Sequence, residues 1–293
     1  MIADAEALAK IQGRMRAAAD SLRLPLRNHA WRGMSGGWLG MGTGSSIDFQ
    51  DHRPYLPGDD PRYIDWQAFA RSGNYSMKLY REEVSPCIDL AFDVSASMFL
   101  DDTKTARSLE LFCFALASAL NSRGALRCYL VDGRRVTPLP PEAALDSARM
   151  AGLLESGADG GEAAPALELI PWRTGSLRVW ISDLLFPGNP AFQPLAAGKG
   201  RGVLLVPWCR AEAEPSWEGN LEMLNCESGM RRNQRVTSAL LSDYRRAYQL
   251  HFQMWREHAH RFGVAFARVP AESEFLEALR LDALPNGAVE VAS

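Results

Sequence analysis

The run Ile88-Asp-Leu-Ala-Phe-Asp-Val94 is apolar enough for a buried strand, and it stops abruptly in Ser-Ala-Ser-Met98. Side chains alternate in an extended chain, so Asp93, Ser95 and Ser97 leave on one side while Val94, Ala96 and Met98 leave on the other. Asp101 and Asp102, residues that start helices, then precede a stretch where Leu109, Phe112, Cys113, Leu116 and Leu120 share one helical face. Gly124 is placed to end that helix as a left-handed cap. A strand, an oxygen-rich loop and a helix follow in order, and the rest of the chain repeats the unit. Leu126 to Val131 reads as a strand, Asp132-Gly133 as a hairpin turn, and Arg135 to Leu139 as the return. Two helical stretches, Glu142 to Glu155 and Gly161 to Ile170, flank a glycine-bounded loop at Ser156 to Gly161. Leu177 to Asp183 is again an apolar strand that stops on a carboxylate. Val203 to Trp208 and Val264 to Val269 add strands. Thr237 to Phe262 is a long helix stopped by Gly263, and Glu272 to Leu284 is the last helix. The alternation predicts an α/β fold, a doubly wound, mostly parallel sheet with helices on both faces, and it places ligands at the carboxyl ends of the strands.

Ahead of this pattern, Ala3 to Leu22 sets Leu8, Ile11, Met15, Ala18 and Leu22 at helical spacing. The glycine-rich stretch Gly33 to Gly44 reads as a loop. It is not a dinucleotide fingerprint, since no strand leads in, no helix follows and the third glycine comes one position early. Asp48 to Trp66 is dense in charge, and Arg71 follows. Asp59 or Asp60 is placed to cap a short helix beginning at Pro61. The cluster reads either as an active centre or as a structural clasp in which Arg53, Arg62 and Arg71 pair with Asp60 and Asp65 under Trp66. We take the structural reading, because charge clusters under aromatic cover are often folding devices. Tyr75 to Glu82 alternates as a short strand. The chain divides into residues 1–85, an N-terminal helix, glycine-rich and Arg/Asp region; residues 86–285, the sheet domain; and a tail, 286–293.

Asp93, Ser95 and Ser97, with Asp183 from a second strand end, are hard oxygen donors suited to Mg²⁺ or Mn²⁺. The alternative is that the serines only cap the following turn. Other chemistries lack their residues. A phosphatase with an aspartate nucleophile needs a second aspartate where Ser95 stands. His251, His258 and His260 miss the metalloprotease spacing, and neither serine lies in a Gly-x-Ser-x-Gly elbow. A net charge of −3 supplies no field for nucleic acid. The apolar run near Leu111 to Leu120 is too short to span a membrane. Five widely spaced cysteines, mostly in apolar runs, read as buried, reduced thiols and hence a cytoplasmic setting.

Asp93-Val-Ser-Ala-Ser97 resembles the metal-ion-dependent adhesion site of von Willebrand factor A domains, and Ser182-Asp183 resembles its later aspartate. More specifically, Asp48-Phe49, Arg53-Pro-Tyr-Leu-Pro-Gly-Asp-Asp-Pro-Arg-Tyr-Ile-Asp-Trp66, Ala70-Arg71 and Glu82-Glu83 resemble the bacterial domain of unknown function 58 family. The likeness continues through Asn225-Cys-Glu-Ser-Gly229, the Tyr244 to Phe262 helix and the final strand, so it covers nearly everything after about residue 30. It implies an A-type domain with a family-specific N-terminal extension and no known enzyme activity. It also implies work beside a MoxR-type AAA+ ATPase, or on its client, in chaperone-like maturation. Many relatives carry transmembrane helices ahead of this region, whereas this chain starts with a charged helix and looks like the soluble form. The expectation is therefore a metal-assisted, non-enzymatic interaction module, with a metal-dependent phosphoester hydrolase at the same sheet end as the alternative. The family's usual site takes a threonine from an intervening loop. Here that loop offers Asp159 between Gly157 and Gly160, and we expect Asp159 to stay outside the ligand set.

Overall fold

In the computed structural model, which describes residues 4–26, 35–43, 49–84, 86–155, 163–188 and 191–292, six strands form the central sheet. Their order across the sheet is Ala265–Pro270, Arg201–Trp208, Leu177–Ile181, Cys87–Asp93, Ala125–Asp132 and Arg135–Leu139. The first five run parallel. The sixth is antiparallel, joined by the hairpin turn at Gly133, whose φ of 52° suits the sequence-predicted Asp-Gly turn.

Alternation along each strand builds two cores. Ile88, Leu90, Phe92, Val179, Val203 and Leu205 face a layer made by helix Asp102–Asn121, the N-terminal helix Ala5–Ala19 and the segment from Phe275 to Ala283. Ala91, Trp180, Leu204 and Val206 face the opposite layer, where helix Ser238–Arg261 contributes Tyr248, Phe252 and Trp255. Parallel strands buried on both faces carry the near-continuous apolar runs seen in the sequence. The N-terminal helix puts Leu8, Ile11 and Met15 into the sheet domain's own core. The next strand, Leu22–Arg23, pairs antiparallel with Glu290–Val291. The packing thus unites both ends of the described chain with the sheet domain.

Three further strands form a separate antiparallel sheet in the order Ser35–Thr43, Ser76–Val84, Phe49–Pro54. The first of these corrects the loop expected from its glycines, and its pairing has register shifts, as strands poor in side chains to lock them do. Helix Asp102–Asn121 also ends differently from expectation. Arg123, with φ of 52°, takes the left-handed position, and Gly124 is instead needed for closeness: a Cβ there would lie 2.7 Å from the Pro86 carbonyl oxygen. The stretch expected to be helical up to Ile170 is, in its described part, a single 3-10 turn at Leu167–Leu169. The predicted last helix is a short α-helix, Phe275–Ala278, running into a π-turn at Leu279–Ala283. A hairpin of strands Gly219–Leu224 and Arg231–Val236, absent from our reading of the sequence, stands as its own two-stranded sheet.

Candidate functional site

Strands Cys87–Asp93 and Leu177–Ile181 are parallel neighbours, so their ends bring Asp93 and the Ser182-Asp183 pair to one edge of the sheet. Asp93 is fully buried. Its Oδ1 accepts the Ser95 backbone N–H at 3.0 Å, and its Oδ2 accepts the Ser182 hydroxyl at 2.6 Å. Burial, reinforced by the nearby charge of Asp183, pushes the Asp93 carboxyl up to about 7. The chain then turns at Ala96–Phe99, with the Ser95 and Ser97 hydroxyls 3.3 Å apart. Directly after Asp183, Leu184 holds a left-handed φ of 63°, a cost that buried surroundings must sustain in a side chain other than glycine.

A lysine neutralises this end of the sheet. Lys104 sits in the first turn of helix Asp102–Asn121, where its N–H is capped by Asp101, and its side chain is wholly buried. Its Nζ lies 2.7 Å from Asp183 Oδ2 and also bonds Glu212. Glu212 uses its second oxygen to accept the Cys209 N–H at 3.2 Å. Burial alone lowers a lysine pKa, but the two carboxylates outweigh it and hold Lys104 above its ordinary value. The signal for Lys104 was in the sequence, since it shares the buried stripe of Ser108, Leu111 and Ala115 at helical spacing.

The hairpin reaches the same edge. Asn225 orders its tip by accepting the N–H groups of Glu227 and Ser228 at 2.8 and 3.1 Å. The Glu227 carboxylate then straddles the serine loop, Oε1 accepting the Ser97 N–H at 2.7 Å and Oε2 the Ala96 N–H at 3.2 Å. Between hairpin and sheet edge lies a groove of about 810 Å³, bounded by Ser95 and Ser97, by Leu185 and Phe186, and by Trp217 and Leu224.

A family model described as "Protein of unknown function DUF58" matches residues 51–253. The chain belongs to the DUF58 family. Similar proteins include an uncharacterized protein of Mycobacterium bovis and two from strains of Mycobacterium tuberculosis. Each is 27% identical over 254 residues, a match covering 81% of this chain and 79% of the relative. No solved structure matches the chain.

Within this DUF58 chain the Arg/Asp motif keeps one pair of the clasp the sequence suggested, Arg62 with Asp60, and arranges the rest differently. Arg53 makes a two-pronged pair with Asp59 at 2.7 and 2.6 Å, while Asp60 pairs with Arg62 at 2.6 Å. Asp65 is buried and caps helix Trp66–Ser72 through the Gln67 and Ala68 N–H groups, and His52 reaches it at 2.7 Å. The Ala68 N–H and then His52 hold the Asp65 carboxyl down at about 2. Among the described residues Arg71 bonds along its own helix, to the Gln67 carbonyl, and Trp66 is 58% exposed rather than a lid. Of the expected pairs, Arg62 with Asp60 is present, whereas Arg53 takes Asp59 instead and Asp65 is satisfied by helix capping and His52.

The Mg²⁺ or Mn²⁺ implied by the resemblance needs oxygens free to converge on one point at roughly 2.1 Å. Ser95 and Ser97 border the groove and are suited to that. The carboxylates are not. Asp93 uses both oxygens within the protein, and Asp183 is held by the Leu185 N–H on one oxygen and the Lys104 ammonium on the other. Among the described residues no three His, Cys, Asp or Glu side chains gather as metal ligands. Asp159 lies outside the described residues. As arranged, the Lys104 ammonium already supplies, through Asp183, the positive charge that a divalent ion would bring to this edge. The cysteines divide too: Cys113, Cys128 and Cys209 are buried thiols, whereas Cys226 is exposed at the hairpin tip.

Proposed function

We propose that this DUF58 chain is a cytoplasmic, non-enzymatic protein-interaction module of the von Willebrand factor A type. In this reading it holds its partner at the carboxyl end of the sheet, and the partner is a MoxR-type AAA+ ATPase or its client. One observation carries the reading: the groove has polar backbone and hydroxyls at the serine loop and an apolar rim, with Leu100 53%, Trp217 40% and Leu224 62% exposed. Exposed apolar side chains gathered around a concave site favour a protein ligand. The Asp93 and Asp183 carboxylates behind the groove are engaged by protein groups, which disfavours them as the base a hydrolase would need. The mixed, mostly parallel six-stranded sheet is compatible with the A-type architecture.

The test is calorimetry of the purified chain with the MoxR-type ATPase of its own host. Leu185, at the groove rim, is changed to glutamate. We expect binding by the wild type and a loss of about tenfold or more in Leu185→Glu, the usual effect of a charge in an apolar contact. Equal binding by both proteins excludes the groove. Phosphoester turnover in Mn²⁺ that vanishes in Asp93→Ala replaces this reading with the hydrolase.

A further inference from the structure

We propose that the hairpin is a displaceable plug. Glu227 fastens its tip in a carboxylate seat on the serine loop, and an acidic side chain of a partner, flanked by apolar residues, takes that seat when the hairpin opens. The inference rests on the interaction reading above and adds how the groove is regulated and what enters it.

Three observations converge. Among the described residues the two strands Gly219–Leu224 and Arg231–Val236 pair only with each other and do not extend the central sheet. A lone two-stranded hairpin is marginal in water, so its position depends on what holds it to the body. Its side chains are mostly exposed, including Leu224 at 62% and Met230 at 69%. Second, the Glu227 contact spans 130 residues of sequence and gives one carboxylate oxygen to each of two successive N–H groups. These bonds are charge-assisted and stronger than neutral ones, yet they are part-exposed, so a competing carboxylate can replace them. Third, Met223, Leu224 and Cys226 of the hairpin line the groove together with Leu185 and Phe186. Movement of the tip therefore removes part of that lining and the seated carboxylate together. The seat selects a carboxylate, and the lining selects apolar neighbours on either side of it. The chain's own Leu224-Asn-Cys-Glu-Ser-Gly-Met230 has this character.

The experiment uses the full chain, the variants Glu227→Ala and Glu227→Gln, and a blocked synthetic peptide copying residues 223–230 with either Glu or Gln at its centre. Hydrogen exchange is read across residues 219–236 and, as a control for folding, across the strand at residues 87–93. We expect exchange of the hairpin to rise about tenfold in both variants with the control strand unchanged, as for the loss of a charge-assisted bond. The Glu peptide should bind Glu227→Ala at least about tenfold more tightly than wild type, and the Gln peptide should not bind. Unchanged hairpin exchange overturns the plug. Equal peptide affinity for wild type and variant, or equal affinity of the Glu and Gln peptides, overturns the seat. If exchange and peptide behave as expected while the ATPase binds neither wild type nor Glu227→Ala, the plug stands and the partner assignment alone fails.

Discussion

Replacing Lys104 by methionine keeps the length of the side chain and removes its charge. Asp183 and Glu212 are then left buried and uncompensated, with Asp93 adding a third acid nearby. Breaking a buried pair from one side costs about 3–5 kcal/mol, so urea unfolding of Lys104→Met should show a loss of that size. An unchanged midpoint would mean that water reaches these acids. Asp93 makes a pH prediction. Its folded value of about 7 lies above the ordinary carboxylate value, so between the two the native state binds more protons than the unfolded chain. Stability falls as pH rises through that window, and the loss is complete above it. Asp93→Asn removes this titration. Unfolding midpoints measured at pH 5 and pH 8 should fall with pH in the wild type and stay level in the variant, which should be the more stable at pH 8. At this scale Asp93 and Asp183 were legible because both stop apolar strands. Lys104 was legible in principle, as a charge on a buried helical stripe. Glu227 was not, because nothing local in Asn-Cys-Glu-Ser-Gly says which distant N–H groups it meets.

Among the elements, the alternating strands and amphipathic helices were read correctly wherever period and capping agreed. Helix Ser238–Arg261, capped by Thr237 and stopped at Gly263 with φ of 65°, is the clearest case. Elements that depend on tertiary partners were not. The hairpin's second strand is almost wholly polar and the first carries only the brief alternation Asn220-Leu-Glu-Met223, too short to stand out, and the glycine-rich strand Ser35–Thr43 is defined by its pairing rather than by its side chains. Gly124 shows how a right residue can be assigned a wrong reason. Its backbone needs no left-handed conformation, but the chain passes the Pro86 carbonyl too closely for a side chain. Gly124→Ala should therefore destabilise by about 1–3 kcal/mol, the range for overpacking, and thermal unfolding would measure it. A neutral result would show that the junction between Pro86 and Ala125 yields easily.

Over the whole molecule, the layered α/β architecture was legible because strand and helix periods alternate through most of the chain. How its two ends join it was not, since two-residue strands carry no pattern. Leu22–Arg23 and Glu290–Val291 pair antiparallel, Ala292 donates its N–H to the Ser21 carbonyl at 3.0 Å, and Arg23 meets Glu290 at 2.9 Å. That clip has a mechanical meaning. Tension applied between Asp20 and Ala292 meets the pair end-on, so its tethers are loaded one after another, the Ser21 bond first. The parallel strands behind it are not in the line of pull at that stage. Under such a pull the clip unzips from its Ser21 end while the central sheet keeps its registry.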